Sequence, residues 1–284
     1  MNLLVVVIAL VLRHRGLLVE PAATVGHLVR RWRDMWLQRG AREGWAPPLV
    51  LGLAVLLPAL LLAVFLNLFD GLWQRVIIGA VGVLVLGQIL LDQRQPGVAK
   101  RMQAEWLARV WPGDNGGQPA LLAAELVADA ELAPARRELV EEHLRELFAP
   151  LFWFLLLGPV GALVYYLLRL MAEGEGSPAV PVARQMLHYA EWPVARLLAL
   201  GFALAGDFMA TWQHLRDRLL DRQLDAVELL DESAERAQAV SLTMSPDSSP
   251  AAVLTHALAT LQALLHRTLV LLVVLLALHT LLWF

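Results

Sequence analysis

Long apolar runs alternate with arginine-rich stretches along this chain. Each apolar run is close to the roughly 20 residues that a helix needs to cross about 30 Å of hydrocarbon. Inside lipid the backbone must satisfy its own hydrogen bonds, so each run is expected to be helical. The pattern predicts an all-α fold: a polytopic transmembrane helical bundle with cytoplasmic amphipathic helices. The clearest runs cover residues 49–69, 72–91, 147–171 and 268–284.

Two further apolar segments are shorter or have charged ends. Residues 1–12 end at Arg13, with no small-residue cleavage site after them and no basic residue before them. They therefore favour an uncleaved first helix over a signal peptide. Residues 194–208 carry Arg196 and Asp207 near their ends and are expected to form a short or re-entrant membrane segment. Together the six segments predict six membrane passes, some of them partial.

The positions of the arginines predict which side each connecting stretch occupies. Cytoplasmic loops of membrane proteins are enriched in arginine and lysine, so the three arginine-rich stretches are expected on the cytoplasmic side. Helices are expected there at Pro134–Phe148 and, as one long polar helix, from Thr211 to Val240. Ser249 and Pro250 suit the start of a final helix that runs to the end of the chain. The cytoplasmic stretches are 13–46, 92–146 and 209–267.

Composition narrows the possible chemistry. The chain has no cysteine, which excludes disulfides and thiolate-ligated metals, and a net charge of −3, which gives no reason to expect a nucleic-acid partner. Lys100 is the only lysine and does not lie in a Walker A loop. The eight histidines form no metal-binding motif. We therefore expect no catalytic residue, no metal site and no cofactor.

Several residues are candidates for binding or packing. Gly158-Pro159 interrupts an apolar run, as either a packing kink or a broken helix that lines a cavity. Glu141, Glu142 and Glu146 form a tight carboxylate cluster, and the charged run that contains them and Arg145 is either a solvated face or part of a site. Small residues at Gly79, Gly82, Gly87, Gly201 and Ala205 have the spacing of close helix contacts, within one chain or in a homo-oligomer.

Short motifs resemble two related membrane families. One is the AmpE family, associated with β-lactamase regulation. The other is the CobD/CbiB family, which joins an aminopropanol moiety to adenosylcobyric acid. The resemblance covers most of the chain and rests on Ala149-Pro150-Leu151-Phe152-Trp153, Gly158-Pro159-Val160-Gly161-Ala162-Leu163 with Tyr166, Trp192-Pro193-Val194-Ala195-Arg196-Leu197, Ser245-Pro246-Asp247 and Val25-Gly26-His27-Leu28.

Departures from the cobalamin-synthesis pattern favour the AmpE family. Where those enzymes carry Asn-Thr-Leu-Asp after the shared tyrosine, this chain has Arg169-Leu170-Met171-Ala172. Their Gly-Asp-Pro near the N-terminus is replaced by Val19-Glu20-Pro21, and their Glu-Asn pair by Glu141-Glu142. This chain keeps the shared motifs, whereas the polar residues that would bind phosphate, metal or substrate in those enzymes are mostly replaced.

The resemblance implies a non-catalytic regulator, sensor or scaffold in the bacterial inner membrane, linked to β-lactamase induction and cell-wall recycling. Its expected partners are membrane lipids and a cytoplasmic or membrane protein of cell-wall recycling. Two alternatives stay open: an amide-forming transferase related to adenosylcobinamide-phosphate synthase, and a transporter. The residues expected to bind a ligand are Glu141, Glu142, Arg145, Gly158, Pro159, Arg196 and Asp247.

Overall fold

A computed structural model describes residues 19–68, 133–238 and 250–282 of the chain. These ranges are helical and contain no strand, as the apolar pattern predicted. Expected segments at 1–12 and 72–91 lie outside them, as does Asp247. The helices of the described ranges are α1 (Val19–Glu43), α2 (Pro47–Asn67), α3 (Ala133–Ala172), α4 (Ala179–Ala205), α5 (Phe208–Leu215), α6 (Ala226–Gln238) and α7 (Pro250–Leu282).

The chain divides into two compact units. The first contains Met1–Gln93 and Arg145–Val194, and the second contains Arg94–Leu144 and Ala195–Phe284. The division falls inside α3 and inside α4. In the first unit α1, α2 and the larger part of α3 pack on one another, and in the second unit α6 packs on α5 and α7.

Three of the described helices are long and apolar enough to cross a membrane. They are Pro47–Asn67, Ala133–Ala172 and a stretch of α7, His256–Leu275. Large apolar side chains on each of them face outward, including Leu60 on α2, Leu156 on α3 and Val270 on α7. These features suit lipid contact, because hydrocarbon replaces water around such a surface.

Helix α2 contains a proline whose effect is compensated by α1. Pro58 has no N–H, so the carbonyl oxygen of Ala54, four residues earlier, loses its helical donor. The indole Nε1 of Trp32 on α1 donates to that oxygen at 3.1 Å. The two helices also approach closely at Gly40, where an added Cβ would lie 2.6 Å from Val50 Cγ2. A tertiary contact thus supplies the hydrogen bond that the sequence removes from α2.

Helix α3 departs from regular geometry at two places. Residues Leu144–Phe148 form a π-helical segment, and Gly158 has φ 69° and ψ −158°, which is not helical. The expected discontinuity at Gly158-Pro159 is therefore confirmed, because glycine reaches this conformation at little cost and proline removes the donor to Leu155. Among the described residues, nothing lies within 4 Å of a Cβ built on Gly158.

Helix α4 begins well before the apolar segment that was expected at 194–208. Its 27 residues run from Ala179 to Ala205, after Ser177, whose Oγ accepts from the N–H of Ala179 at 3.4 Å. The first half of this helix is polar, so the apolar runs of the sequence did not indicate it. Asp207 does not end α4; it caps α5, where its Oδ1 accepts from the N–H of Ala210 at 3.0 Å.

The single long helix expected from Thr211 to Val240 is wrong, because two helices and a turn occupy this stretch. Helix α5 ends at Leu215 and α6 begins at Ala226. The side chain of Asp221 accepts from the N–H of Gln223 at 2.9 Å, and that of Asp225 accepts from the N–H of Glu228 at 3.4 Å. Aspartate side chains that bond nearby N–H groups compete with helix propagation and favour turns and helix starts. The final helix, by contrast, does begin at Pro250 as expected.

Candidate functional site

Arg145 lies at the centre of a polar cluster in the first unit. It is part of the π-helical segment of α3, and its Nε donates to Oε1 of Glu191 on α4 at 2.9 Å. A second contact joins Arg145 Nη2 to Glu191 Oε2 at 3.5 Å, so the guanidinium meets both carboxylate oxygens. Such paired contact fixes both side chains more firmly than a single ion pair does.

Glu191 is the buried acid of this cluster, with 3% of its side chain exposed. The hydroxyl of Tyr165, also buried, donates to Glu191 Oε1 at 3.2 Å. Burial raises the pKa of Glu191, although Arg145, Tyr165 and Arg169 act in the opposite direction. A buried charge needs such partners, because an isolated carboxylate in an apolar interior is very costly.

Arg169 extends the cluster toward the surface. Its Nη1 donates to the backbone oxygen of Arg145 at 3.1 Å, and its Nε donates to Oε1 of Glu173 at 2.9 Å. The oxygen of Arg145 lies in the π-helical segment, where an i→i+5 bond would need the N–H that Pro150 lacks. A chain of contacts therefore joins Glu173, Arg169, Arg145, Glu191 and Tyr165, in which Arg169 bonds the backbone oxygen of Arg145 and the Arg145 side chain bonds Glu191.

The surface end of this chain opens into a groove of the same unit. A cavity of about 540 Å³ lies between α1 and the turn that follows α3. Its charged lining residues are Arg33, Asp34, Glu173 and Glu175. Glu173 therefore borders the groove and also binds Arg169, so that a ligand in the groove would act directly on the end of this chain of contacts.

The helix break lies in the same unit as the cluster. Leu156 and Leu157, just before Gly158, are exposed, whereas Tyr165, after the break, is buried. The indole N–H of Trp153 is also buried and has no hydrogen-bond partner among the described residues. A buried donor without a partner is uncommon in proteins and calls for an explanation, such as a bound group.

Arg196 has contacts that give it a structural role in the second unit. It is buried, and it donates to the backbone oxygens of Leu219, Asp221 and Leu224. The bond from Nη2 to the oxygen of Asp221 is 2.5 Å long. One guanidinium thereby holds the whole turn between α5 and α6.

The structure distributes the expected ligand-binding residues between the two units. Arg145, Gly158 and Pro159 belong to the first unit, and Glu141, Glu142 and Arg196 belong to the second. Glu191, Tyr165 and Arg169 were missed, since no local motif marks them. A weak signal was present: a glutamate and an arginine stand next to apolar runs, where charged residues need a partner. In the described ranges, no three His, Cys, Asp or Glu residues are placed to hold a metal ion.

Comparison of the chain with protein-family models, curated proteins and solved structures gave no match. The resemblance to the AmpE family therefore rests on the short motifs quoted above, three of which lie on α3 and α4.

Proposed function

We propose that this chain is a non-catalytic sensor or scaffold of the bacterial inner membrane that acts in β-lactamase induction and cell-wall recycling. The family assignment comes from the AmpE-like motifs. The observation that best supports a sensing role is the chain of contacts that runs from Glu173, at the groove, to the buried Glu191. Such a chain has the form of a sensing element, because a ligand that engages Glu173 or Arg169 changes the partners of a buried charge.

The break at Gly158-Pro159 supplies the movable part of this proposal. A break in an apolar helix gives that helix two segments that can change their relative angle. Tyr165 lies after the break and Arg145 before it, and both hold Glu191. Ligand binding at the groove would shift the balance between two arrangements of these segments, provided that the ligand binds them with different affinity.

The expected partners follow from the same proposal. Outward-facing apolar residues of α2 and α7 contact lipid, and a protein of cell-wall recycling reads the state of the sensor. A homo-oligomer through small-residue helix faces stays a further prediction.

The test is β-lactamase induction in a bacterium that lacks this protein. Induction by a sub-inhibitory β-lactam should be altered in the null strain and restored by the wild-type chain. Glu173→Gln should fail to restore normal induction although the protein accumulates in the membrane, because it removes the negative charge that pairs with Arg169. Asp217→Asn, a change at a 73% exposed side chain of the other unit, should restore it. Normal induction in the null strain would refute the proposal.

The same strains can test the transferase alternative. Expression in a cell that lacks its aminopropanol-joining enzyme should not restore cobalamin-dependent growth. Restored growth that is lost on replacing Glu141 and Glu142 by alanine would contradict a non-catalytic role and would place chemistry on the first part of α3.

A further inference from the structure

Helix α5 has one face that packs and one face that does not. Thr211 and Leu215 are fully buried, and the second unit packs α5 on α6. On the other side, Phe208, Met209 and Trp212 are 45%, 62% and 37% exposed. The rings of Phe208 and Trp212 stack with centroids 6.0 Å apart and planes at 7°. A soluble surface rarely presents such a group of large apolar side chains without a partner.

The start of α5 is fixed rigidly, so its exposed face has a defined direction. The N–H of Asp207 donates to the backbone oxygen of Ala237, at the end of α6, at 3.1 Å. At Gly206 an added Cβ would lie 2.5 Å from the same oxygen, so only glycine permits this approach. Asp207 then caps α5 through Ala210. The exposed apolar face of α5 is therefore held in a fixed orientation relative to α6.

The position of α5 along the chain sets its depth relative to a membrane. Gly201 of α4 packs against Thr268 of α7, since an added Cβ would lie 2.5 Å from Thr268 Cγ2. Thr268 is the first residue of the apolar run 268–284 and directly follows His266 and Arg267, which places it near the hydrocarbon edge. Phe208 follows Gly201 by seven positions, which is at most about 10 Å along a helix axis. Helix α5 therefore begins within about 10 Å of that edge.

The residues around α5 match that depth. Leu197 and Leu204 on the preceding helix are also exposed and apolar, so α4 presents apolar side chains outward shortly before α5 begins. Tryptophan is enriched at the membrane–water boundary, and arginine reaches from there toward the headgroups. Arg216, with 62% of its side chain exposed, directly follows the helix.

From these observations we propose that α5 lies in the interfacial layer of the phospholipid bilayer, with Phe208, Met209 and Trp212 inserted at the level of the headgroups and upper acyl chains. The occupant of this face is lipid and not another protein. The assignment replaces the expectation that residues 209–267 are all solvated in the cytoplasm. It is independent of the signalling role, because it requires only that α7 spans the membrane.

The absence of cysteine allows a direct test on the full-length chain. Met209→Cys and Glu228→Cys each receive one spin label, and the proteins are reconstituted in phosphatidylcholine–phosphatidylglycerol vesicles. Glu228 is an exposed residue of α6 and serves as the matched control. Accessibility to oxygen, which concentrates in lipid, is compared with accessibility to a water-soluble nickel chelate. The ratio of the two should be about threefold or more higher at 209 than at 228 for an interfacial helix.

Two outcomes would overturn the proposal. Equal ratios at 209 and 228, with free access of nickel, would show that α5 is solvated. Shielding of the 209 label from both oxygen and nickel would show that protein covers this face. If Met209→Cys fails to insert, Phe208→Cys carries the same prediction, because its side chain is on the same exposed face.

Discussion

The two compact units differ in how many partners a buried charge has. In the first unit, 3% of the Glu191 side chain is exposed, and its described polar contacts are with Arg145 and Tyr165. In the second unit, Arg136 is also largely buried, with 12% of its side chain exposed, but it meets two acids of α6, Asp231 and Glu235. Loss of Glu191 should therefore matter individually, whereas loss of Glu235 leaves Arg136 paired with Asp231.

The cost of losing a partner depends on how far the remaining charge is exposed to solvent. An exposed ion pair contributes only about 0–1 kcal/mol, because water and salt screen it and the side chains lose freedom. When a buried pair loses one member, the remaining charge is uncompensated, and the loss reaches about 3–5 kcal/mol. The following changes test whether this contrast holds, from the largest expected effect to the smallest.

Glu191→Gln should give the largest loss of stability. It leaves Arg145 without its carboxylate, and we expect a loss of about 3 kcal/mol, the low end for a buried pair, since 30% of the Arg145 side chain is exposed. Unfolding in mild detergent measures it. The matched control is Glu173→Gln, an exposed partner of Arg169, with an expected loss below about 1 kcal/mol. Equal losses in the two variants would remove the contrast between buried and exposed pairs. If Glu191→Gln does not fold, Arg145→Met combined with Glu191→Leu should restore folding.

Trp32→Phe should be the next most damaging change. It removes the donor to the Ala54 oxygen that Pro58 leaves without a helical bond, and an unsatisfied buried acceptor costs about 1–3 kcal/mol. Trp36→Phe is the matched control, because its buried indole N–H has no described partner. The difference in unfolding free energy between the two variants isolates the hydrogen bond. Similar values for both would show that only aromatic packing matters there.

A smaller, pH-dependent effect is expected at His214 in the second unit. Its Nε2 lies 2.7 Å from Glu232 Oε2. Burial lowers the pKa of His214, as do Arg236 and Arg218, while Glu232 opposes them. The unfolded chain therefore takes up the proton first, so stability is complete above about pH 6.5 and falls as the pH drops toward the lower folded pKa. Unfolding between pH 7.5 and 5 should show this loss in the wild type and a flatter profile in His214→Gln. Parallel profiles would exclude His214 as the cause.

Glu235→Gln should change stability least. The side chain is 59% exposed, and Arg136 keeps its pairing with Asp231 when Glu235 is lost. We expect a change of about 0–0.5 kcal/mol in unfolding free energy. A loss above about 1 kcal/mol would mean that the second unit depends on individual pairs as the first one does.

Local signals in the sequence predicted the local features of the fold. Gly158-Pro159 inside an apolar run predicted the break in α3, because glycine and proline act on their own backbone. Pro250 similarly predicted the start of α7. By contrast, the prediction of one helix from Thr211 to Val240 was wrong, because the side chains of Asp221 and Asp225 accept from nearby backbone N–H groups. These bonds compete with helix formation, and apolar spacing alone does not reveal them.

The polar cluster could be predicted only in part. Arg145 was a candidate because it belongs to a visible charged run. Its partner Glu191 is 46 positions further along the chain, and no spacing rule connects residues on different helices. The π-helical geometry of Leu144–Phe148 also has no sequence signature here, yet it contains the carbonyl to which Arg169 donates. Such contacts depend on how the helices pack. A single sequence does not show which residues of different helices will meet.

The π-helical segment has a consequence for how this chain can change length. A single π-helical turn accommodates one residue more than an α-helical turn would. Removing one residue from Leu144–Phe148 would let the turn become α-helical while both flanking parts of α3 keep their registers. We expect deletion of Glu146 to leave a protein that still inserts and accumulates, whereas deletion of Leu151 would rotate every later side chain of the helix. Comparing membrane levels of the two deletions tests this, and equal depletion would show that the segment is not a tolerated insertion.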